Sequence, residues 1–247
     1  MINPTTDASI VLNIILLLII VFLLYPKGSI NKAFIDFCAS VSLPTDNLIT
    51  KSWWVKEVSH QVSLTQSQEY NACIFGDSIT SPLSNTLGEH TFNFALKGMS
   101  SVSLIEQLHK LAAAHVKCKK ALIAIGTNDA CYHIDDDTFI NNIEQAISLV
   151  REMGATQVIL IPAFYSTVAA SLNPLLAGTI TRVEEINQLI NQIAESQNVL
   201  VNAECIQELF EGKALKRNLT TDGVHLNADG QQIYRQGLIK LISSIGT

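Results

Sequence analysis

From Ala72 to the C-terminus, short apolar runs alternate with longer segments whose apolar residues recur every three or four positions. The runs Ala72–Phe75, Thr91–Ala95, Ala121–Ile125, Gln157–Ile161 and Asn198–Val201 are each bounded by turn residues or charges, as buried strands are. Between them, Ile140, Ile143, Ile147 and Val150 share one helical face, as do Val183, Ile186, Ile190 and Ile193. Ile233, Tyr234, Leu238, Leu241 and Ile245 make a closing helix. Asp135, Asp136 and Asp137 stand where the first of these helices begins, and capping its positive end explains them better than metal binding. Strand-then-helix repetition predicts a mainly parallel, five-stranded sheet with helices on both faces. The fold class is therefore α/β: a three-layer α/β/α, doubly wound domain.

The start of the chain follows another pattern. Ala8 to Tyr25 is apolar apart from Ser9 and Asn13, and Pro26 closes it. The run is short for a bilayer, which takes about 20 residues, but a core helix would show a polar face and this one has none. A cleaved signal peptide would need a basic start and an Ala-x-Ala-like cleavage site; only the acidic Asp7 precedes the run, and no such site follows. The expectation is an uncleaved N-terminal transmembrane helix within an anchor of residues 1–30, a connecting region 31–71, and the α/β domain 72–247. Trp53 and Trp54, in the connecting region, fit either a membrane interface or packing on the domain. Lys27 and Lys32 follow the span and no basic residue precedes it, which places the domain on the cytoplasmic side of the membrane.

Composition narrows the partners. Charged residues are 15% of the 247, below the usual quarter or so, and the net charge is −6. An acidic chain is a poor polyanion binder, so no nucleic-acid partner is expected; the one basic cluster, Lys117, Lys119 and Lys120, reads as a solvated helix end or loop. Cys38, Cys73, Cys118, Cys131 and Cys205 are odd in number and form no Cys-x-x-Cys pair, which indicates neither a zinc site nor a redox motif. Unpatterned cysteines lean toward a reducing compartment.

In an open α/β sheet, ligands collect beyond the C-terminal ends of the strands, and three polar motifs fall there. Gly76-Asp77-Ser78-Ile79-Thr80 follows the first strand, Gly126-Thr127-Asn128-Asp129 the third, and Asp222-Gly223-Val224-His225 precedes the closing helix. Acyl transfer needs a hydroxyl nucleophile, a base, an acid that orients the base, and donors for an oxyanion. Ser78, at a strand-to-helix turn, can supply the hydroxyl and His225 the base. Asp222, three residues earlier on one tight loop, can hold the imidazole. No Gly-x-Ser-x-Gly elbow, His-Glu-x-x-His, Gly-x-Gly-x-x-Gly or phosphate-binding loop is present. His60, His90, His109, His115 and His133 lack such a neighbourhood.

Together, Gly76-Asp77-Ser78, the isolated Gly98, Gly126-x-Asn128-Asp129 and Asp222-x-x-His225 resemble the four sequence blocks of the SGNH/GDSL hydrolase superfamily. The likeness runs from about Ala72 to the C-terminus. It implies a flavodoxin-like layout and catalytic residues Ser78, Asp222 and His225. The oxyanion hole would be built from the backbone N–H groups of Ser78 and Gly98 and the side-chain amide of Asn128. Asp77 and Asp129 would brace their loops. The implied reaction is hydrolysis of a carboxylic ester or thioester through an acyl-enzyme on Ser78, which needs no metal or organic cofactor. Alternatives are a membrane-associated O-acyltransferase, with a sugar or lipid hydroxyl replacing water, and a non-catalytic membrane-anchored module of the same fold. The long stretch from Phe164 to Thr179, rich in Ala and Leu, is a candidate flank for an acyl pocket.

Overall fold

The computed structural model describes residues 44–243. The apolar run Ala8–Tyr25, Cys38 and Ile245 lie outside the described residues. Among the described residues, no helix is long and apolar enough to cross a membrane.

Five parallel strands form the sheet: β1 (Glu69–Gly76), β2 (Thr91–Asn93), β3 (Lys117–Ala124), β4 (Gln157–Leu160) and β5 (Leu200–Val201). Their order is β2-β1-β3-β4-β5, the flavodoxin-like arrangement in which the strand order reverses between β1 and β3. Alternation along each strand explains the layers. Cys73 and Phe75 of β1, Ala121 and Ile123 of β3, and Val158 and Leu160 of β4 join one core. Ile74, Leu122, Ala124 and Ile159 join the other. Parallel strands buried on both faces read as continuous apolar runs, which is why these runs were visible as strands.

Four helices cover the first face: α1 (Ser52–Thr65), α2 (Ser101–Ala113), α4 (Asp136–Glu152) and, after the short α3 (Thr127–Cys131) and α5 (Val168–Ser171), α6 (Ile180–Gln197). They contribute Trp54 and Val58, Leu104 and Leu108, Ile143 and Ile147, and Ile186 and Ile190 to its core. The second face is covered by α7 (Glu204–Gln207) and α8 (Ala228–Ser243), through Ile206, Tyr234, Leu238 and Leu241. A small antiparallel pair, β6 (Phe210–Glu211) and β7 (Ala214–Leu215), lies beside the sheet. Asp135 caps α4 by accepting from Thr138 N at 2.9 Å, as its position predicted.

Two local readings change. Lys117, Lys119 and Lys120 lie on β3 rather than at a helix end or loop, because the strand begins four residues before its apolar run. Lys120 is buried, its ammonium donating to the Ile242 carbonyl at 2.7 Å, and desolvation lowers its pKa. Trp53 and Trp54 divide across one helix: Trp53 is exposed, whereas Trp54 is fully buried against the sheet.

Candidate active site

The nucleophile turn is shaped by what surrounds it. At Gly76, the last residue of β1, a Cβ would come within 2.8 Å of Thr80 Cβ, so only glycine lets the chain fold back this tightly. Asp77 then organises the turn. Its carboxylate accepts from Ile79 N at 2.9 Å, and its carbonyl accepts from Thr80 N at 3.2 Å and Ser81 N at 2.9 Å. Burial pushes its carboxyl up to about 7, against the Ile79 bond that favours the charged form. Thr80 fastens the turn to the last helix, its hydroxyl 3.0 Å from that of Tyr234. Ser78 is left partly exposed at the sheet edge.

The opposite wall is the loop before α8. His225 Nδ1 lies 2.7 Å from Asp222 Oδ2, while Asp222 Oδ1 accepts from the backbone N–H groups of Val224 at 2.9 Å and His225 at 2.8 Å. One carboxylate thus fixes the imidazole and the loop that bears it. Burial raises the Asp222 pKa, but the bond from the His225 ring and those two amides outweigh it, and the carboxyl is held below its ordinary value. Thr220 locks the loop from the other side, donating to the His225 carbonyl at 2.6 Å and accepting from Gly223 N at 2.9 Å.

These two walls meet. Ser78 Oγ lies 3.0 Å from His225 Nε2, across 147 positions of sequence. With Nδ1–H donating to Asp222, Nε2 carries the lone pair and accepts the Ser78 hydroxyl proton, a tautomer assigned from these partners. The arrangement can draw a proton from the serine as it attacks an electrophile, and return it to a leaving group.

The expected oxyanion donors converge on the same sheet edge. Gly98 has φ +77°, a conformation suited to glycine, and its carbonyl accepts from the Tyr132 hydroxyl at 3.0 Å. Asn128 donates from Nδ2 to the Met99 carbonyl at 2.9 Å, which ties α3 to the Gly98 loop and leaves its second amide hydrogen uncommitted. The backbone N–H groups of Ser78 and Gly98 have no acceptor among the described residues. Beneath them, both oxygens of the fully buried Asp129 accept from Ser101 N, at 3.0 and 3.1 Å. Desolvation raises its carboxyl to about 6, with the Ser101 hydroxyl and amide opposing.

His133 is exposed, outside this network. Among the described residues, no three His, Cys, Asp or Glu side chains form a group that could hold a metal ion. Sequence reasoning missed Tyr132, Thr220 and Asp46. Tyr132 had a faint signal, four residues after Asn128 at the end of one helical turn, and Thr220 another, two residues before Asp222. Asp46 had none: it accepts from Ser103 N at 3.2 Å across 57 positions.

The GDSL-like lipase/acylhydrolase family matches residues 74–233, which takes in every motif above. No curated protein matches. Solved structures with the same fold include a GDSL-like lipase from Bacteroides thetaiotaomicron, 18% identical, covering 76% of this chain and 97% of its own, with TM-score 0.61. Another is the lipase/acylhydrolase from Enterococcus faecalis, at 21% identity, 71% and 96% coverage, and TM-score 0.57. A variant of an acetyl-xylooligosaccharide esterase from Geobacillus Stearmophilus aligns at 17% identity, 72% and 96% coverage, and TM-score 0.54. With the family match spanning well over half of its length, this chain belongs to the GDSL-like lipase/acylhydrolase family, the serine hydrolases that act on esters.

Proposed function

We propose that the protein is a serine esterase that opens a carboxylic ester or thioester through an acyl-enzyme on Ser78. The observation that carries this is the unbroken Ser78–His225–Asp222 relay at 3.0 and 2.7 Å. His225 takes the hydroxyl proton as Ser78 Oγ attacks the carbonyl carbon. The oxyanion is received by the amides of Ser78 and Gly98 and the free hydrogen of Asn128. Collapse expels the alcohol or thiol, which takes the proton from His225. Water then gives a proton to His225, attacks the acyl carbon, and the proton returns to Ser78.

On the acyl side we assign the stretch from Thr167 to Gly178. Thr167 N donates to the Gly223 carbonyl at 2.8 Å on the His225 loop. At the other end, Gly178 lies so close to Ala130 of α3 that a Cβ would come within 2.7 Å of the Ala130 Cβ. This arch is therefore fastened to the His225 loop at one end and to α3 at the other, and no charged residue occurs from Phe164 to Thr181. Leu172 and Leu175 are 81% and 59% exposed on it. That combination supports esters with an apolar acyl chain as substrates.

The wider organisation belongs to the same proposal: an anchor within residues 1–30, a connection after it, and the hydrolase domain on the cytoplasmic side of a membrane. Its support is the apolar run Ala8–Tyr25 and the lysines that follow it. Protease added to intact cells should leave the domain uncut; digestion overturns that orientation. For the chemistry, a fluorophosphonate probe should label the wild-type chain and not Ser78→Ala. Equal labelling of both overturns the assignment.

A further inference from the structure

The family match begins at residue 74, yet a segment well upstream of it reaches the Gly98 loop. Asp46 Oδ2 accepts from the Ser100 hydroxyl and from Ser103 N, and Oδ1 accepts from Leu48 N at 3.0 Å. Leu48, 9% exposed, packs over Gly98; a Cβ on that glycine would lie 3.6 Å from Leu48 Cδ2.

The consequence follows from how α2 starts. The first amides of a helix have no partner within it. Here three separate side chains meet them: Asp129 takes Ser101 N, the Ser100 hydroxyl takes Val102 N at 3.2 Å, and Asp46 takes Ser103 N. Asp46 also holds the Ser100 hydroxyl, so one carboxylate serves two of the three caps. The turn that this start fixes is Gly98-Met99, whose carbonyls are gripped by Tyr132 and Asn128. Without Asp46, the Ser100 hydroxyl loses its acceptor, Ser103 N is left to the Ser100 side chain alone, and the Asp46 bond that holds the Leu48 backbone beside Gly98 is gone. The group then free to shift is the Gly98 N–H.

We propose that Asp46 is a positioning residue for the oxyanion donors, acting as a strap from outside the family segment that sets the Gly98 amide and, through Met99, the Asn128 side chain. This rests on the oxyanion role assigned above to Gly98 and Asn128. The functional edge of the hydrolase domain then lies upstream of residue 46 rather than at residue 72.

The test uses the full chain and p-nitrophenyl acetate, with the concentration of competent sites counted by fluorophosphonate titration. Counting sites separates mispositioned donors from misfolded protein. Asp46→Ala should lower kcat per labelled site about 10-fold with KM unchanged, less than the roughly 10² to 10³ lost when a donor is removed outright. Asp46→Asn, whose amide oxygen can still accept from Ser100, should recover part of that loss. Asp46→Ala combined with Asn128→Ala should cost less than the product of the two, because both act on one loop. A kcat per labelled site equal to wild type overturns the proposal, as does a double-variant loss equal to the product. If Asp46→Ala does not fold, Asp46→Asn is judged by the same two criteria. Turnover retained by Ser78→Ala sinks the underlying site assignment instead, and needs no Asp46 variant to see.

Discussion

Asp77 and Asp129, on the nucleophile side of the site, are sealed from solvent, whereas the side chain of Asp222, on the base side, is 41% exposed. Burial lifts the first two carboxyls to about 7 and about 6; hydrogen bonds hold the third below its ordinary value. One side of the cleft is thus braced by acids whose job is to accept backbone amides. The other carries an acid whose negative charge is kept for an imidazole. The difference teaches that identity does not assign the role here. Environment does: each carboxylate is tuned by what it touches.

The most forceful way to break this contrast is to neutralise each acid in turn. Asp222→Asn should cut kcat by roughly 10⁴, since the amide mismatches the imidazole tautomer and no longer steadies its positive charge. Asp77→Asn keeps an oxygen for Ile79 N and should retain kcat within about 10-fold, as expected for loss of one brace rather than of the relay. Comparable losses in both would erase the distinction. Next in size, Asn128→Ala should lower kcat by about 10² to 10³ at little cost in KM. Steady-state kinetics on one soluble ester reads all three.

A third measurement concerns the arch between the two sides. With p-nitrophenyl esters kept below their micellar concentrations, the ratio of kcat/KM for octanoate to that for acetate should fall about 10-fold in Leu172→Ser/Leu175→Ser, the scale expected for losing one to two buried methylene contacts in all. An unchanged ratio removes the arch from acyl recognition. A wild-type enzyme that already favours acetate over octanoate overturns the assignment of an apolar acyl chain.

The smallest effect is on stability. A carboxyl whose pKa is raised by folding is bound more tightly to its proton in the native chain, so its contribution is full below the ordinary 3.8 and is lost as pH rises through the folded value. That window runs from 3.8 to about 7 for Asp77 and from 3.8 to about 6 for Asp129. Asp222 has the opposite sign: its contribution is present above 3.8 and lost as pH falls through its lowered value. Thermal melts should therefore show Asp77→Asn flattening the decline in Tm toward neutral pH by a few degrees, about what 1 kcal/mol moves a domain this size. A Tm profile parallel to wild type refutes the raised value for Asp77.

Much of this was readable from the chain because its signals are periodic or local. The strands announced themselves through apolar runs, and α4 and α6 through faces repeating at 3.6 residues. Ser78, Asp222 and His225 lie in short motifs whose chemistry is self-contained. What escaped notice depends on distance. Nothing near Asp46 hints that its carboxylate reaches Ser103, and Lys120 looked solvated because a strand's alternation was read only from its apolar half. The arch was visible as an uncharged stretch, but its attachment to the His225 loop and to α3 rests on Thr167, Gly178 and contacts that no spacing encodes.

One close fit carries a constraint on how this enzyme can diversify. At Gly223 the backbone has φ +95°, and a Cβ would come within 2.6 Å of Thr167 Oγ1. Arch and relay are keyed together at that point like lock and bolt. A lineage that retuned its substrate range by remodelling residue 167 would disturb the histidine loop in the same step. Variation is freer at the crest, where the exposed Leu172 and Leu175 stand clear of that fit and a change leaves proton movement alone.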